Sequence, residues 1–183
     1  MGKSIMDYFK DIPDVRRSQG LMHELSFCLT LIVLGLMSGY KGVRGLGDFV
    51  KGNKDEIVKY FKPKKSRVPS YSTIRRVMIA VNFDDLNKAF YLWARQNIES
   101  TEEEAYAIDG KCIRSTVTDS NDPEQNYLSI VTAFGQNSKQ ALAQTKFYNK
   151  KDSEISKVLD ILEMIEVEGK TFTLDALHCQ KKQ

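Results

Sequence analysis

YAIDGKCIRS, residues Tyr106 to Ser115, decides how the fold is read. It alternates around β-forming residues, the period-two pattern of a strand that buries one face. Working outward, Tyr127 to Phe134 (YLSIVTAF) is a second, compact apolar run and Ala141 to Tyr148 a third, with turn residues at Asn121 to Pro123 and Gly135 to Asn137 between them. A helix follows, capped by Asp152 or Ser153, with Ile155, Val158, Leu159, Leu162 and Ile165 expected on one face. Gly169 ends it, and Thr171 to Leu174 begins a fourth strand. The order is strand, strand, strand, helix, strand. If the helix is a right-handed crossover, it returns the fourth strand parallel to the first.

Upstream, the spacing changes to that of helices. Glu24 to Met37 is apolar almost all round, which predicts a helix buried within a bundle, and Gly39 supplies its stop. Gly42, Gly45 and Gly47 read as a loose connection before short amphipathic pieces at Leu46 to Val50 and Asp55 to Phe61. After the breaker-rich Lys62 to Pro69, a helix is expected from Ser70 or Ser72, carrying Ile74, Val77, Met78 and Val81. Asn82 or Asp84 then caps a helix striped by Leu86, Ala89, Phe90 and Trp93. The acidic STEEE at Ser100 to Glu104 marks the change of pattern. The expectation is therefore an α+β chain: a helical N-terminal domain over 1–100 and a mixed α/β domain over 101–183.

Charge follows the same division. Residues 1–100 hold 17 Lys+Arg against 10 Asp+Glu, and residues 101–183 hold 10 against 14. A basic half facing nucleic acid fits this split, as does ordinary solvated charge. Three cysteines exclude a disulfide framework, and Cys112, His178 and Cys179 lack the spacing of a zinc site. The N-terminus has no apolar leader, and the run Leu25 to Met37 is interrupted and shorter than the roughly 20 residues that cross a bilayer. A cytoplasmic protein without a membrane partner is expected.

Two aspartates close apolar stretches: Asp109 after Tyr106-Ala107-Ile108, and Asp175 after Phe172-Thr173-Leu174. On parallel neighbouring strands their carboxylates would lie side by side and repel. A divalent cation relieves that repulsion, and for hard oxygen ligands facing phosphate it is Mg2+ or Mn2+. Plainer readings stand beside this one, since Asp109-Gly110 is also a hairpin-turn signal and Asp175 is also a helix cap. In SYSTIRRVM, hydroxyls at a helix start and Arg75 and Arg76 one turn on suit phosphates and base edges, with Lys62, Lys64, Lys65 and Arg67 nearby. The same residues also serve as caps and exposed charge.

The stretches IPDVRRSQG, HELSFCLTLIVLGLMSG, AIDGKCIRS and TLDALHCQKK resemble, in order and end to end, the H-repeat-associated (ISAs) type of insertion-sequence transposase. That resemblance implies a DDE enzyme with a helical N-terminal region and a ribonuclease-H-like core binding two divalent ions. It assigns Asp109 and Asp175 as catalytic metal ligands and offers Lys111 and Lys182 as contacts to DNA phosphate. Glu154 falls in a family-like KxSEI context, where the positive end of a helix dipole suits it equally well. The partners implied are DNA, as element terminal inverted repeats and target, and a second copy of the chain. The family's third acid, a glutamate on a helix well downstream, has no match before Gln183. The expectation is a C-terminally truncated transposase of low stability, inactive or nearly so as this chain; the alternative is a non-catalytic DNA-binding remnant or an inhibitor of a full-length relative.

Overall fold

The computed structural model describes residues 2–17, 21–97, 105–118, 125–165 and 169–174. It is an α+β protein dividing into two units, Met1–Trp93 and Ala94–Gln183.

The first unit is built on α2 (Leu25–Met37), in which every residue from Leu25 to Ile32 is buried. Its last turn is not enclosed as the all-round apolar pattern implied, because Leu36 and Met37 stand exposed. The helix ends in a Schellman arrangement: Gly39 N–H donates to Leu36 O and Tyr40 N–H to Gly35 O, both at 3.0 Å. This requires Gly39 at φ 85°, which a side chain resists.

Next comes α3 (Gly42–Gly52), which corrects the loose connection expected from its glycines. Each interior glycine costs about 1 kcal/mol of helix propensity. Leu46, Phe49 and Val50, spaced to one face and all buried, offset that cost by entering the core. α4 (Lys54–Phe61) and a 3-10 turn at Lys64–Ser66 lead to α5 (Tyr71–Ala80). Ser70 caps α5, its Oγ accepting from Thr73 N–H at 3.4 Å, and buried Ile74 and Val77 seat it. Asn82 caps α6 (Phe83–Asn97), accepting from Asp84 N–H at 2.7 Å. The short α1 (Ile5–Phe9) is too brief to persist alone. Fully buried Phe9, edge-on to Phe90 at 5.5 Å, anchors it.

The second unit carries a four-stranded sheet in the order β3-β2-β1-β4. β1 (Ala105–Thr118), β2 (Asn126–Gly135) and β3 (Ala141–Tyr148) are antiparallel neighbours. β4 (Thr171–Thr173) runs parallel to β1, pairing Ala105 with Thr171 and Ala107 with Thr173. Phe172 stacks on Tyr106 at 5.4 Å, and Thr173 Oγ1 donates to Tyr106 O at 3.3 Å. The Thr116 hydroxyl bridges an irregularity in β1, donating to Ile113 O at 2.6 Å and accepting from Leu128 N–H at 2.9 Å.

Between β3 and β4, α7 (Glu154–Met164) begins at a Ser153 cap whose Oγ accepts from Ser156 N–H at 3.3 Å. It packs on β3 and β2 through Val158, Ile161 and Ile165. Ile155 and Leu159, expected on the same face, are exposed. At 100° per residue, Leu159 stands about 100° round from Val158, on the side away from Ile161. Among the described residues no single helix is long and apolar enough to cross a membrane.

Candidate acidic strand and nucleic-acid interface

Asp109 and Gly110 lie inside β1, opposite Thr132 and Val131, so the hairpin-turn reading of Asp-Gly is overturned. Eight residues of unbroken pairing, Tyr106 to Ile113, outweigh the local turn preference. Successive strand residues face opposite sides. Tyr106 and Ile108 are buried, and with Gly110 they share the face over which α7 begins. Asp109 is exposed on the other face, in a row with Thr132 and Gln144 across the sheet. Lys111, one pleat on, is exposed on the same side.

On the α7 face, Glu154 lies directly against Gly110. A Cβ at 110 would fall 2.7 Å from Glu154 Oε2 and closer still to Cδ and Oε1, so a side chain there would displace the Glu154 carboxylate. Glu154 is thus one residue from Asp109 along β1 but on the opposite face. Beyond Gly110 on that face, Ser129 Oγ contacts Cys112 Sγ at 3.6 Å. Cys112 also raises the Tyr127 hydroxyl above its ordinary range by hydrogen bonding and charge, burial and the Glu154 carboxylate adding smaller effects. Among the described residues, no three His, Cys, Asp or Glu gather into a metal cage. Asp175 and Lys182 lie outside the described residues.

The basic residues separate by role. Arg16 is structural: its side chain is 6% exposed and its guanidinium clamps Asp14 from Nε at 2.8 Å and Nη2 at 2.6 Å, with Nη2 also donating to His23 O at 2.8 Å. The Asp14 carboxyl is held below its ordinary range by that guanidinium. Nearby Cys28 is buried and its thiol is pushed up to about 11 by desolvation, which leaves it inert at neutral pH. Arg17, Arg75 and Arg76, by contrast, are exposed.

With Arg16, Thr73 and Ile79, those three arginines line a groove of about 580 Å³ beside α5. A second hollow of about 450 Å³ shares Thr73 and Arg76 with it and adds Lys54, Arg67 and Ser70. Lys64 and Lys65 line neither of these hollows; Lys64 borders a third, of about 230 Å³, which shares Met22 and His23 with the second and also holds Glu24. Both lysines lie in the 3-10 turn, and Lys64 sits 3.7 Å from Glu24 in a pair whose side chains are 79% and 61% exposed. Arg75 and Arg76 thus come together as the sequence suggested, whereas Lys64 and Lys65 line neither arginine hollow. Arg17 and Lys54 were missed. The doubled arginine of IPDVRRSQG was the signal for the first, and nothing local marked the second.

A helical unit followed by a mixed sheet with an acidic residue on its first strand is the architecture in hand, and comparison with known proteins gives it a class. Residues 6–94 match the DDE_Tnp_1-associated family. The whole chain is similar to "H repeat-associated putative transposase YhhI" of Escherichia coli strain K12, with 28% identity over 98% of this chain and 46% of that protein. It is likewise 28% identical to "H repeat-associated putative transposase YbfD" of the same strain, over 98% of this chain and 69% of the relative. "Putative transposase YncI" of Escherichia coli O157:H7 is 29% identical over 98% and 45%. The chain is similar to the H repeat-associated transposases from end to end, its residues 6–94 match the DDE_Tnp_1-associated family, and it spans about half the length of YhhI and YncI. No solved structure matches it.

Proposed function

We propose that the chain is a DNA transposase whose second unit is a ribonuclease-H-like DDE core built on Asp109 and Asp175, and whose first unit grips DNA. The observation that carries this reading is the parallel register of β1 and β4. Ala107 pairs with Thr173; Asp109 lies two residues further along β1, and Asp175 follows Thr173 by two residues in sequence. The order of three antiparallel strands, a helix and a fourth strand parallel to the first supports the same core.

The donor chemistry fits a hard cation. Asp109 offers an exposed carboxylate beside Thr132, with no sulfur or imidazole on that row, as Mg2+ or Mn2+ prefers. Asp109 and Asp175 would hold the ions, which when bound activate a water or 3′-hydroxyl and stabilise the leaving oxygen of a phosphodiester. Lys111, on the Asp109 face, is placed to neutralise a phosphate approaching the strand, and Lys182 follows Asp175 closely enough in sequence to share that task. The DNA is the element's terminal repeats and its target, held by paired copies of the chain.

Mn2+ titration followed by the free-ion electron paramagnetic resonance signal tests the site without requiring turnover. Wild type is expected to remove Mn2+ from solution, while Asp109→Asn and Asp175→Asn leave it free. Equal Mn2+ uptake by wild type and Asp109→Asn would sink the assignment. A second reading, DNA binding without catalysis, is favoured by the confinement of the arginine-lined grooves to the first unit. DNA affinity unchanged in both variants, with no nicking by wild type in Mg2+, would select it.

A further inference from the structure

We propose that one continuous surface across the start of α5, formed by Arg17, Arg76, Arg67 and Lys54, binds the sugar-phosphate backbone of duplex DNA. This rests on the DNA reading above and goes further, by replacing the Lys64-Lys65 run with a different set of contacts.

Three observations carry it. The two hollows beside α5 share Thr73 and Arg76, so they form a single track with Arg17 and Arg75 toward one end and Arg67 and Lys54 toward the other. No carboxylate lines either hollow. Among the described residues none of these five cations is in a salt bridge, whereas Arg16 is committed to Asp14 and Lys64 to Glu24.

The local structure explains the division of labour between the adjacent arginines. Arg16 borders the groove but is spent within the fold, bonding Asp14 to His23 O and so holding the backbone that presents Arg17 there. On α5, Ile74 and Val77 are buried, so Arg76 is forced to the exposed side, and its Nε donates to Ser72 O at 3.1 Å. That bond limits the guanidinium's freedom while leaving its remaining N–H groups for phosphate. Thr73 and Ser70 place a pair of hydroxyls, 3.2 Å apart and hydrogen-bonded to each other, between the cations, and phosphate-contacting surfaces commonly carry such groups. An extended track of cations and hydroxyls fits a repeating polyanion better than a single small anion.

The test is fluorescence anisotropy of the full chain with a labelled random-sequence DNA duplex over a salt series. Each phosphate contact contributes about 0.9 to the slope of log affinity against log salt, so raising salt from about 50 to about 200 mM costs about 3.5-fold per contact. Wild type is expected to lose about 40-fold more affinity over that range than the Arg17→Ala, Arg67→Ala, Arg76→Ala triple variant, which lacks three contacts. Lys64→Ala, Lys65→Ala should keep the wild-type slope. The three arginines are exposed, and the corresponding single variants provide the same readout, about 0.9 of slope each, if the triple does not fold. A triple-variant slope equal to wild type, or tighter binding of an RNA duplex of the same length, would overturn the surface. Failure of the wild type to bind any duplex would remove both the surface and the DNA reading. Loss of Mn2+ uptake alone leaves this surface intact.

Discussion

Arg16 and Arg17 are identical neighbours with opposite fates, and replacing each with Met separates them. Arg16→Met deletes three side-chain hydrogen bonds, taking the donor from His23 O and leaving the Asp14 carboxylate only the backbone N–H of residue 16, at 3.2 Å. Hydrogen bonds to charged groups contribute about 1.5–3 kcal/mol, and breaking a buried pair costs more because one charge is stranded. Asp14 is 28% exposed and keeps part of its hydration, which brings the expected loss to about 2–3 kcal/mol. For a unit of this size, each kcal/mol lowers the melting temperature by about 4–8 °C, so the first unit should melt about 10–20 °C lower. Arg17→Met removes only exposed charge and should stay within about 0.5 kcal/mol of wild type. Circular dichroism melts of the full chain measure both. An Arg16→Met melt within about 4 °C of wild type, or equal shifts for the two variants, would refute the division of roles.

Other consequences are as direct. Gly110→Ala should fold, since an extended strand accepts alanine and the obstructing carboxylate ends a flexible side chain, but it should cost more in wild type than in a Glu154→Ala background. A urea double-mutant cycle is expected to give a coupling of about 0.5–1 kcal/mol, and additivity within about 0.3 kcal/mol would deny the contact. Burial, reinforced by Arg16 and Arg67, lowers the pKa of His23 from its ordinary 6.5. The unfolded chain therefore binds that proton first, and stability should be constant above 6.5, fall as pH drops through 6.5, and level off below the depressed folded value. Urea midpoints across that window should show the fall in wild type and lose it in His23→Gln.

Much of this fold is written in local pattern. The strands at 127–134 and 141–148 and the caps Ser70, Asn82 and Ser153 were legible because alternation and hydroxyl or amide capping act over a few residues. The parallel return of the strand at Thr171 was also legible, as one helix between two strands leaves few other topologies. Asp109 could be singled out as a candidate because it directly follows the apolar Tyr106-Ala107-Ile108 and falls in AIDGKCIRS, one of the stretches that carry the resemblance.

Tertiary structure decided the rest. Only packing could show that Gly45 and Gly47 belong inside a helix, since burial of Leu46, Phe49 and Val50 must overcome their propensity. Which side of α7 faces the sheet depended on where β2 and β3 lay, and this left Leu159 in solvent. Arg16 and Arg17 carry the same formal charge in the sequence. Their separation into a buried clamp and an open cation exists only because the loop folds back onto His23, a contact between residues that sequence spacing does not couple.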